Sequence, residues 1–151
     1  GNIILVTVVQ SGHIPVVTPA SLIPDDDIPA RIRRAEQLML RGRHDDASAD
    51  VATLLQMEPT RAELHGLRAQ ILFEKHAKSD GDGLPRAVID ALKRALEIDP
   101  DETRALFTRG LVCKRGGDPR KAVAYFKRVL QIDPKHLDAQ REIRLATLRG
   151  G

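Results

Sequence analysis

The sequence predicts an all-α protein, built as a solenoid of stacked helix hairpins. One short motif occurs three times: an apolar helix end, an acidic residue and a proline that cannot continue the helix. It occupies residues 54–59, 95–100 and 129–134. The last two prolines are 34 residues apart and the first two are 41 apart, which is the same period with seven added residues. A period in this range is typical of supersecondary units that bury their apolar faces against one another.

The composition agrees with this fold class. Hydrophobic residues make up 42% of the chain and aromatic residues only 3%, so Leu, Ile, Val and Ala form the core, which suits close helix packing. The single cysteine excludes an internal disulfide and gives no sign of an oxidising compartment, so we expect a cytoplasmic protein. No apolar run approaches the roughly 20 residues that span a bilayer, so we expect no membrane partner.

The net charge of +3 is unevenly distributed. Residues 1–27 contain three Asp and neither Lys nor Arg, so the remainder holds 24 basic and 18 acidic residues, a net of +6. Both signs alternate along the predicted helices, which is typical of a solvated, ion-paired surface, whereas a nucleic-acid footprint is more concentrated. The aromatic residues that stack on single-stranded bases are nearly absent. The sequence therefore argues against nucleic acid, and a nucleic-acid-binding helical repeat stays a second alternative.

The first hairpin is predicted at residues 28–61. Asp27 is a favoured N-cap, and Pro29 is tolerated in the first turn of the helix that follows. Gly42 ends this first helix and Pro59 ends the second. The apolar residues recur at the helical spacing of three or four places: Ile32, Ala35, Leu38 and Met39 in the first helix, and Ala47, Val51, Leu54 and Leu55 in the second.

The second hairpin is predicted at 62–102 and the third at 103–136, followed by a capping helix and tail at 137–151. The second hairpin includes an extra polar, turn-rich loop around residues 78–83. The apolar residues again have helical spacing. In the two helices of the second hairpin they are Leu64, Leu67, Ile71 and Leu72, and then Val88, Leu92, Ala95 and Leu96. In the third hairpin they are Leu106, Gly110 and Cys113, and then Ala122, Phe126, Val129 and Leu130, and in the capping helix they are Ile143, Leu145 and Leu148.

Small residues occupy equivalent places in the three first helices. Ala35, Ala69 and Gly110 each precede a larger residue by three places, which leaves room for the second helix. With the period, the glycine turns and the closing prolines, these residues make the chain resemble the tetratricopeptide-repeat family over about four-fifths of its length. The resemblance implies three tetratricopeptide repeats in a right-handed α-solenoid, closed by the capping helix. Arg31 and His65 replace the family's large aromatic residue, which should loosen the packing between repeats.

The same resemblance implies a function. The first helices of such repeats line a concave groove that holds a partner peptide or helix, so the chain would be a protein-interaction scaffold and not an enzyme. The polar and charged groove residues, with their nearest apolar neighbours, would be Arg33, Glu36, Glu63, Gln70, Arg104, Phe107, Thr108, Leu111, Lys114, Arg115 and Arg141. Further apolar members would be Ile32, Met39, Leu40, Gly66, Leu67, Phe73 and Leu145. We expect ligands that combine acidic groups with apolar anchors.

Some members of the family hold a carboxyl-terminal peptide with a clamp of Lys, Asn and Arg. The matching places here carry Ile32, Glu36, Leu67, Arg104 and Thr108, of which only Arg104 fits the clamp. We therefore expect no Hsp70 or Hsp90 co-chaperone role.

No set of residues converges on catalytic or metal chemistry. The five histidines have no i, i+4 pairing of the kind that binds zinc, and Cys113 has no neighbouring histidine to activate it. The segment 80–83 resembles part of a calcium loop, but Lys78 and Ile89 stand where ligands are needed. We expect no metal, no cofactor and no enzymatic activity.

The N-terminal segment, residues 1–27, differs in kind and is predicted to be a β or extended arm. Residues 3–9 have high strand propensity, and residues 14–18 could return antiparallel after a turn. A lone hairpin with apolar side chains on both faces must be covered. Three arrangements are open: the arm rests on its own helices, it completes the sheet of an upstream domain, or it pairs with a second copy. The last would be a homodimer or assembly contact through Ile3, Leu5, Val6, Val8 and Val9.

Overall fold

The structure is a computed structural model that describes residues 16–79, 81 and 83–150. Within these residues the chain forms one short 3₁₀ helix and seven α-helices, and no strand. The 3₁₀ helix spans Ala20–Leu22. The α-helices are α1 Ile28–Leu40, α2 His44–Met57, α3 Ala62–Ala77, α4 Arg86–Ile98, α5 Thr103–Arg115, α6 Pro119–Ile132 and α7 Leu137–Leu148.

The seven helices stack as three hairpins and a final helix. α1 packs on α2, α3 on α4, and α5 on α6, and α7 closes the stack against α6. Neighbouring hairpins meet through α2 with α3, α3 with α5, and α4 with α5. The expected all-α helical solenoid is therefore confirmed.

Local chemistry sets the helix ends. The Asp27 carboxylate caps α1 by accepting a hydrogen bond from the Ala30 N–H at 3.1 Å. At the other end of α1, Gly42 has φ of +79°, a conformation that glycine adopts without the steric cost of a Cβ atom. α2, α4 and α6 each end directly before the acidic residue of the repeated motif, two places before its proline.

Each first helix after α1 directs a matching set of side chains at the preceding hairpin. In α3 these are Leu64, Leu67 and Ile71, all fully buried in a core cluster with residues of α1 and α2. Applying the spacings of 41 and 34 residues gives the equivalent sets: Ala105, Thr108 and Val112 in α5, and Ala139, Glu142 and Ala146 in α7. The side chains of these sets become smaller and more polar from α3 to α7. The apolar contact with the preceding hairpin therefore decreases toward α7.

Residues 16–27 lie against α1, the first helix of the first described hairpin. The Thr18 N–H donates to Gln37 Oε1 at 2.8 Å, and Arg34 Nε donates to the Thr18 carbonyl at 2.8 Å. Val17 packs against the first core cluster. Gln37 in α1 is the counterpart of Ile71 in α3 and Val112 in α5. Its polar side chain bonds to the N-terminal segment, whereas Ile71 and Val112 pack against the apolar side chains of a preceding hairpin.

This arrangement corrects part of the predicted arm. Val16–Thr18 is not a strand, because both backbone groups of Thr18 are bonded to α1 side chains and cannot join a ladder. The 3₁₀ helix at 20–22 was not expected from the sequence. The described part of the arm rests on its own helices. Ile3, Leu5, Val6, Val8 and Val9 lie outside the described residues, so strand-mediated dimerisation stays a prediction.

Arg31, which replaces an expected aromatic residue, has a specific role. Its guanidinium donates to the carbonyls of Ile23 and Pro24 at 3.3 Å and pairs with Asp25 at 2.8 Å. His65, the second such replacement, places Nε2 2.8 Å from the Pro59 carbonyl. Both side chains therefore bond to the segment of chain that directly precedes the hairpin to which they belong.

Candidate functional site: a polar network across the first helices

Side chains from three first helices meet at Arg104, near the start of α5. Its Nη1 donates to Gln70 Oε1 on α3 at 2.7 Å, and its Nη2 pairs with Glu36 Oε2 on α1 at 2.5 Å. The guanidinium and the Glu36 carboxylate are about a quarter and a third exposed, so both border solvent. We call the surface that α1, α3, α5 and α7 present on this side the first-helix face.

The network continues from Gln70 into the molecule. Gln70 Nε2 donates to Glu74 Oε2 at 3.0 Å, and Glu74 Oε1 lies 3.5 Å from His44 Nε2. His44 is only 6% exposed, and its other ring nitrogen lies 3.2 Å from the Gly42 carbonyl. Hydrogen bonds and an ion pair thus join α5 to α3 and α1, and the Glu74 carboxylate approaches His44 Nε2 at the start of α2, a buried atom that has no hydrogen-bond partner.

Most other predicted groove charges also have partners within the chain. Glu63 pairs with Arg61 at 3.2 Å, Lys114 with Glu142 at 2.8 Å, and Arg141 with Asp138 at 2.9 Å.

Arg33 and Arg115 differ from these paired groups. Both are exposed, and neither side chain makes a hydrogen bond or ion pair within the described residues. The exposed Leu40, 61% accessible, adds an apolar contact beside Arg33 and Glu36 in the helix α1. Leu40 and Arg115 occupy equivalent places in α1 and α5 and are available to a partner on the first-helix face, whereas Arg33 stands at the place of Leu67, on the side that faces a preceding hairpin.

Thr108 is not a groove residue, which corrects the sequence prediction. It is 1% exposed and belongs to the set that faces the preceding hairpin, at the place of Leu67. Its hydroxyl has no hydrogen-bond partner in the structure. The resemblance placed Thr108 in the groove next to Phe107, but a step of one residue along a helix turns the side chain by about 100°.

The predicted apolar groove residues serve mainly in packing. The Phe107 ring lies 5.3 Å from that of Phe126 and 5.1 Å from that of His136, measured between centroids, so it joins α5 to α6 and to the start of α7. Leu111 packs against two core clusters. Five further members are buried: Ile32, Met39, Gly66, Leu67 and Phe73.

Sequence reasoning missed Glu102, which caps α5 beneath the network. Its carboxylate accepts hydrogen bonds from the N–H groups of Ala105 at 2.7 Å and Arg104 at 3.4 Å. Gly66 in α3 leaves the space that this carboxylate occupies. An acidic residue directly before a predicted helix was the available signal. Burial raises the pKa of Glu102 above its ordinary value, although the two N–H donors oppose the shift.

Replacing Gly66 with alanine tests this contact. A Cβ atom at residue 66 would overlap the Glu102 carboxylate and lie 3.0 Å from its Cδ, so the cap must move. We expect the free energy of unfolding to fall by up to about 1 kcal/mol, because the usual cost of a lost N-cap, about 1–2 kcal/mol, exceeds the gain in helix propensity from alanine, about 1 kcal/mol. Urea denaturation followed by circular dichroism measures the change. If alanine at residue 66 left stability unchanged or increased it, the tight fit of Glu102 over Gly66 would be wrong.

The raised pKa of Glu102 predicts a pH effect. A folded-state pKa above the unfolded value of about 4.3 means that this group stabilises the fold below that pH and loses this contribution as pH rises. Glu102→Gln cannot titrate. The stability of the variant relative to the original chain should therefore increase between pH 4 and pH 7, measured by denaturation in matched buffers. A relative stability that decreases over this range would mean that the charged cap dominates.

No metal or membrane site is found in the part of the chain that the structure describes. Among those residues, no three His, Cys, Asp or Glu side chains lie close enough together to hold a metal ion. No described helix combines the length and the apolar character that a bilayer crossing requires.

Charge is strongly asymmetric along the solenoid. Residues 103–151 contain twelve Lys and Arg against four Asp and Glu, a net of +8. Residues 1–102 contain twelve basic and seventeen acidic residues, a net of −5. The modest total of +3 therefore conceals a basic C-terminal third, formed by the third hairpin and α7.

The hairpins, their stacking and the small-residue contacts define a helical-repeat protein of the solenoid class. The tetratricopeptide-repeat family profile matches residues 103–136, which comprise α5, α6 and the turn that follows. Residues 103–136 are similar to a single tetratricopeptide repeat, and the described helices together have the tetratricopeptide-repeat fold. A search of curated protein sequences finds no match.

Solved structures support the same fold. A crystal structure of MamA is 24% identical and superposes with a TM-score of 0.59, covering 83% of this chain and 70% of MamA. A second MamA structure is also 24% identical, with a TM-score of 0.57, covering 80% of this chain and 62% of that one. The first TPR of Spaghetti (RPAP3), bound to the HSP90 peptide SRMEEVD, is 18% identical with a TM-score of 0.61, covering 84% of this chain and 95% of that domain.

Proposed function

We propose that this chain is a non-enzymatic protein-interaction scaffold that binds a partner peptide or helix along the first-helix face. One observation carries the proposal: Arg104 joins α5 to both α3 and α1, so the three first helices form one continuous surface. An extended ligand on this surface could contact all three hairpins. The fold likeness to a tetratricopeptide domain that holds a peptide supports this mode of binding.

The charges favour an acidic ligand. Arg115 is exposed and has no partner in the described residues, and the third hairpin and α7 are strongly basic. The exposed Leu40 offers an apolar contact near the other end of the face. A ligand carboxylate could also bind Arg104 in place of Glu36, because both groups border solvent. We therefore propose a peptide that combines carboxylates with apolar anchors.

The ligand proposed here differs from a carboxyl-terminal peptide held by a Lys, Asn and Arg clamp. Of the five matching places, Ile32, Leu67 and Thr108 are buried, and Glu36 is bonded to Arg104. A carboxylate clamp needs exposed donors at these places. The prediction against an Hsp70 or Hsp90 co-chaperone role thus has a physical basis.

Selection from a random peptide library on the immobilised chain tests the proposal. We expect enrichment of peptides with acidic and apolar residues, and their affinities can be measured by titration calorimetry. Arg104→Gln combined with Arg115→Gln removes two charges from the first-helix face while keeping polar side chains. This variant should bind the selected peptides at least about tenfold more weakly.

A matched control separates site binding from general electrostatics. Lys93→Gln combined with Lys127→Gln removes the same charge from exposed places on α4 and α6, the second helices. This control should retain the affinity of the original chain. Equal losses in both variants, or enrichment of basic peptides, would contradict a binding site on the first-helix face. Competition by random oligonucleotides with a steep salt dependence would instead favour the nucleic-acid alternative.

A further inference from the structure

A pocket of about 380 Å³ lies between the third hairpin and α7, where the α5–α6 turn meets the C-terminal half of α7. Its apolar wall is formed by Ala122, Val123 and Phe126 of α6 and by Ala146 of α7. Arg120 and Arg149 lie at its edge. This volume falls at the lower end of the range of about 300–1,000 Å³ that is typical of ligand pockets.

The pocket exists because α7 lacks the apolar side chains of its counterparts. Ala146 stands at the place that Ile71 and Val112 occupy, and those larger residues pack into the core clusters beside the preceding hairpin. Glu142 stands at the place of Leu67 and pairs with Lys114 across the pocket wall at 2.8 Å. The small side chain at residue 146 leaves an opening beside this wall, in which Val123 and Ala146 are partly exposed while Ala122 and Phe126 lie deeper.

The pocket lies in a positive field. The Glu142 carboxylate is only 12% exposed and already neutralised by Lys114. Arg120 and Arg149 are exposed and pair with no acidic side chain in the described part of the chain. The surrounding residues 103–151 carry a net charge of +8. An occupant that complements this site has an apolar group beside negative charge.

We propose that this pocket is a second binding site, which takes one large apolar side chain of a partner peptide while flanking carboxylates bind Arg120 and Arg149. This proposal rests on the proposed function in one respect, that the ligand is a peptide. The binding site itself is separate, because the pocket lies beside α6 and not on the surface joined by Arg104. Burial of a large side chain supplies the affinity, and the arginines select an acidic flanking sequence.

The absence of tryptophan from this chain permits a direct assay. The probe is a blocked pentapeptide with tryptophan at its centre and two glutamates on each side. Tryptophan emission should shift to shorter wavelength and saturate with protein concentration as the indole leaves water. A control peptide with flanking lysines should show no saturable shift. A second control with a central alanine does not emit, and it should fail to displace the tryptophan peptide in competition.

Filling the pocket gives the decisive variant. Ala146→Ile restores the branched side chain found at residue 71 and should reduce peptide affinity at least about tenfold. It should also raise the midpoint of thermal unfolding, because the new side chain buries apolar surface that is now uncovered. Weaker binding by a more stable protein cannot result from misfolding. Ala124→Ile adds the same bulk at an exposed place on α6 that does not line the pocket and should leave binding unchanged.

Three outcomes would overturn the pocket proposal: unchanged affinity in Ala146→Ile, equal binding of the lysine-flanked peptide, or complete displacement of the acidic peptide by a random oligonucleotide. The variant Arg104→Gln, Arg115→Gln separates this proposal from the preceding one. If that variant alone weakens binding, the peptide occupies the first-helix face and the pocket proposal fails. If Ala146→Ile alone weakens it, the pocket proposal stands irrespective of the first-helix face.

Discussion

Replacing Ile71 with alanine is expected to lower the free energy of unfolding by about 3 kcal/mol, a typical cost of removing a buried branched side chain. Ile71 is fully buried in the cluster that joins α3 to the first hairpin. Since each hairpin in a solenoid gains stability from its immediate neighbours, the loss should be concentrated where the first two hairpins meet. Chemical denaturation measures the total change.

Hydrogen exchange locates the effect of Ile71→Ala within the chain. Amide protection should fall most in α1 and α2, because these helices lose their main apolar neighbour. Leu40→Ala is the control: that side chain is 61% exposed, and its removal should change stability by no more than about 0.5 kcal/mol. Uniform loss of protection through α6 would show that the hairpins unfold as one unit, against the nearest-neighbour description.

Gly110→Ala is expected to lower the free energy of unfolding by about 3 kcal/mol, toward the upper end of overpacking effects. A Cβ atom at residue 110 would overlap the ring of Phe126, with the ring atoms Cδ1 and Cζ at 2.8 and 2.9 Å. Phe126 is 2% exposed and packs in the third core cluster, so a shift of its ring would disturb the contacts of that cluster. The gain in helix propensity from alanine, about 1 kcal/mol, does not offset this overlap. Urea denaturation provides the measurement.

A double variant identifies the cause of that loss. In Gly110→Ala with Phe126→Leu, the smaller side chain relieves the overlap, so the combined cost should be less than the sum of the two single costs. Gly116→Ala is a matched control, because its nearest contact is at 3.3 Å and it lies at the exposed end of α5. Its effect should stay within about 0.5 kcal/mol. Additive costs at residues 110 and 126 would contradict direct overlap.

The sequence predicted the fold more accurately than it predicted which charged side chains at the candidate site pair with one another. Arg104 and Glu36 were expected to face a ligand, yet they pair with each other although they are 68 positions apart in the sequence. Such a pair forms only if stacking brings α5 and α1 to the right distance. The spacing of residues within a helix or a hairpin does not give that distance. Thr108 was assigned to the wrong side of its helix for a related reason, because a difference of one residue decides between groove and core.

The pocket beside α7 shows how sequence and structure combine. The spacing of 34 residues aligns Ala146 with Val112, so the smaller side chain can be read from the sequence once the alignment is known. The alignment does not show whether α7 would move toward α6 and fill the space that the smaller side chain leaves. The Lys114–Glu142 pair and the contact of Phe107 with His136 join α5 to α7 around the gap.

The sequence by itself determined the helix hairpins, their order and their ends, because periodicity, N-caps, glycine turns and prolines act within a few residues of one another. It also determined which small residues allow close packing, as Gly110 does for Phe126. The tertiary structure alone decided the side-chain pairs that join the hairpins, the way residues 16–27 cover α1, and the opening beside Ala146. These features depend on distances between helices, which follow from the summed packing of many side chains and not from the pattern in any one segment.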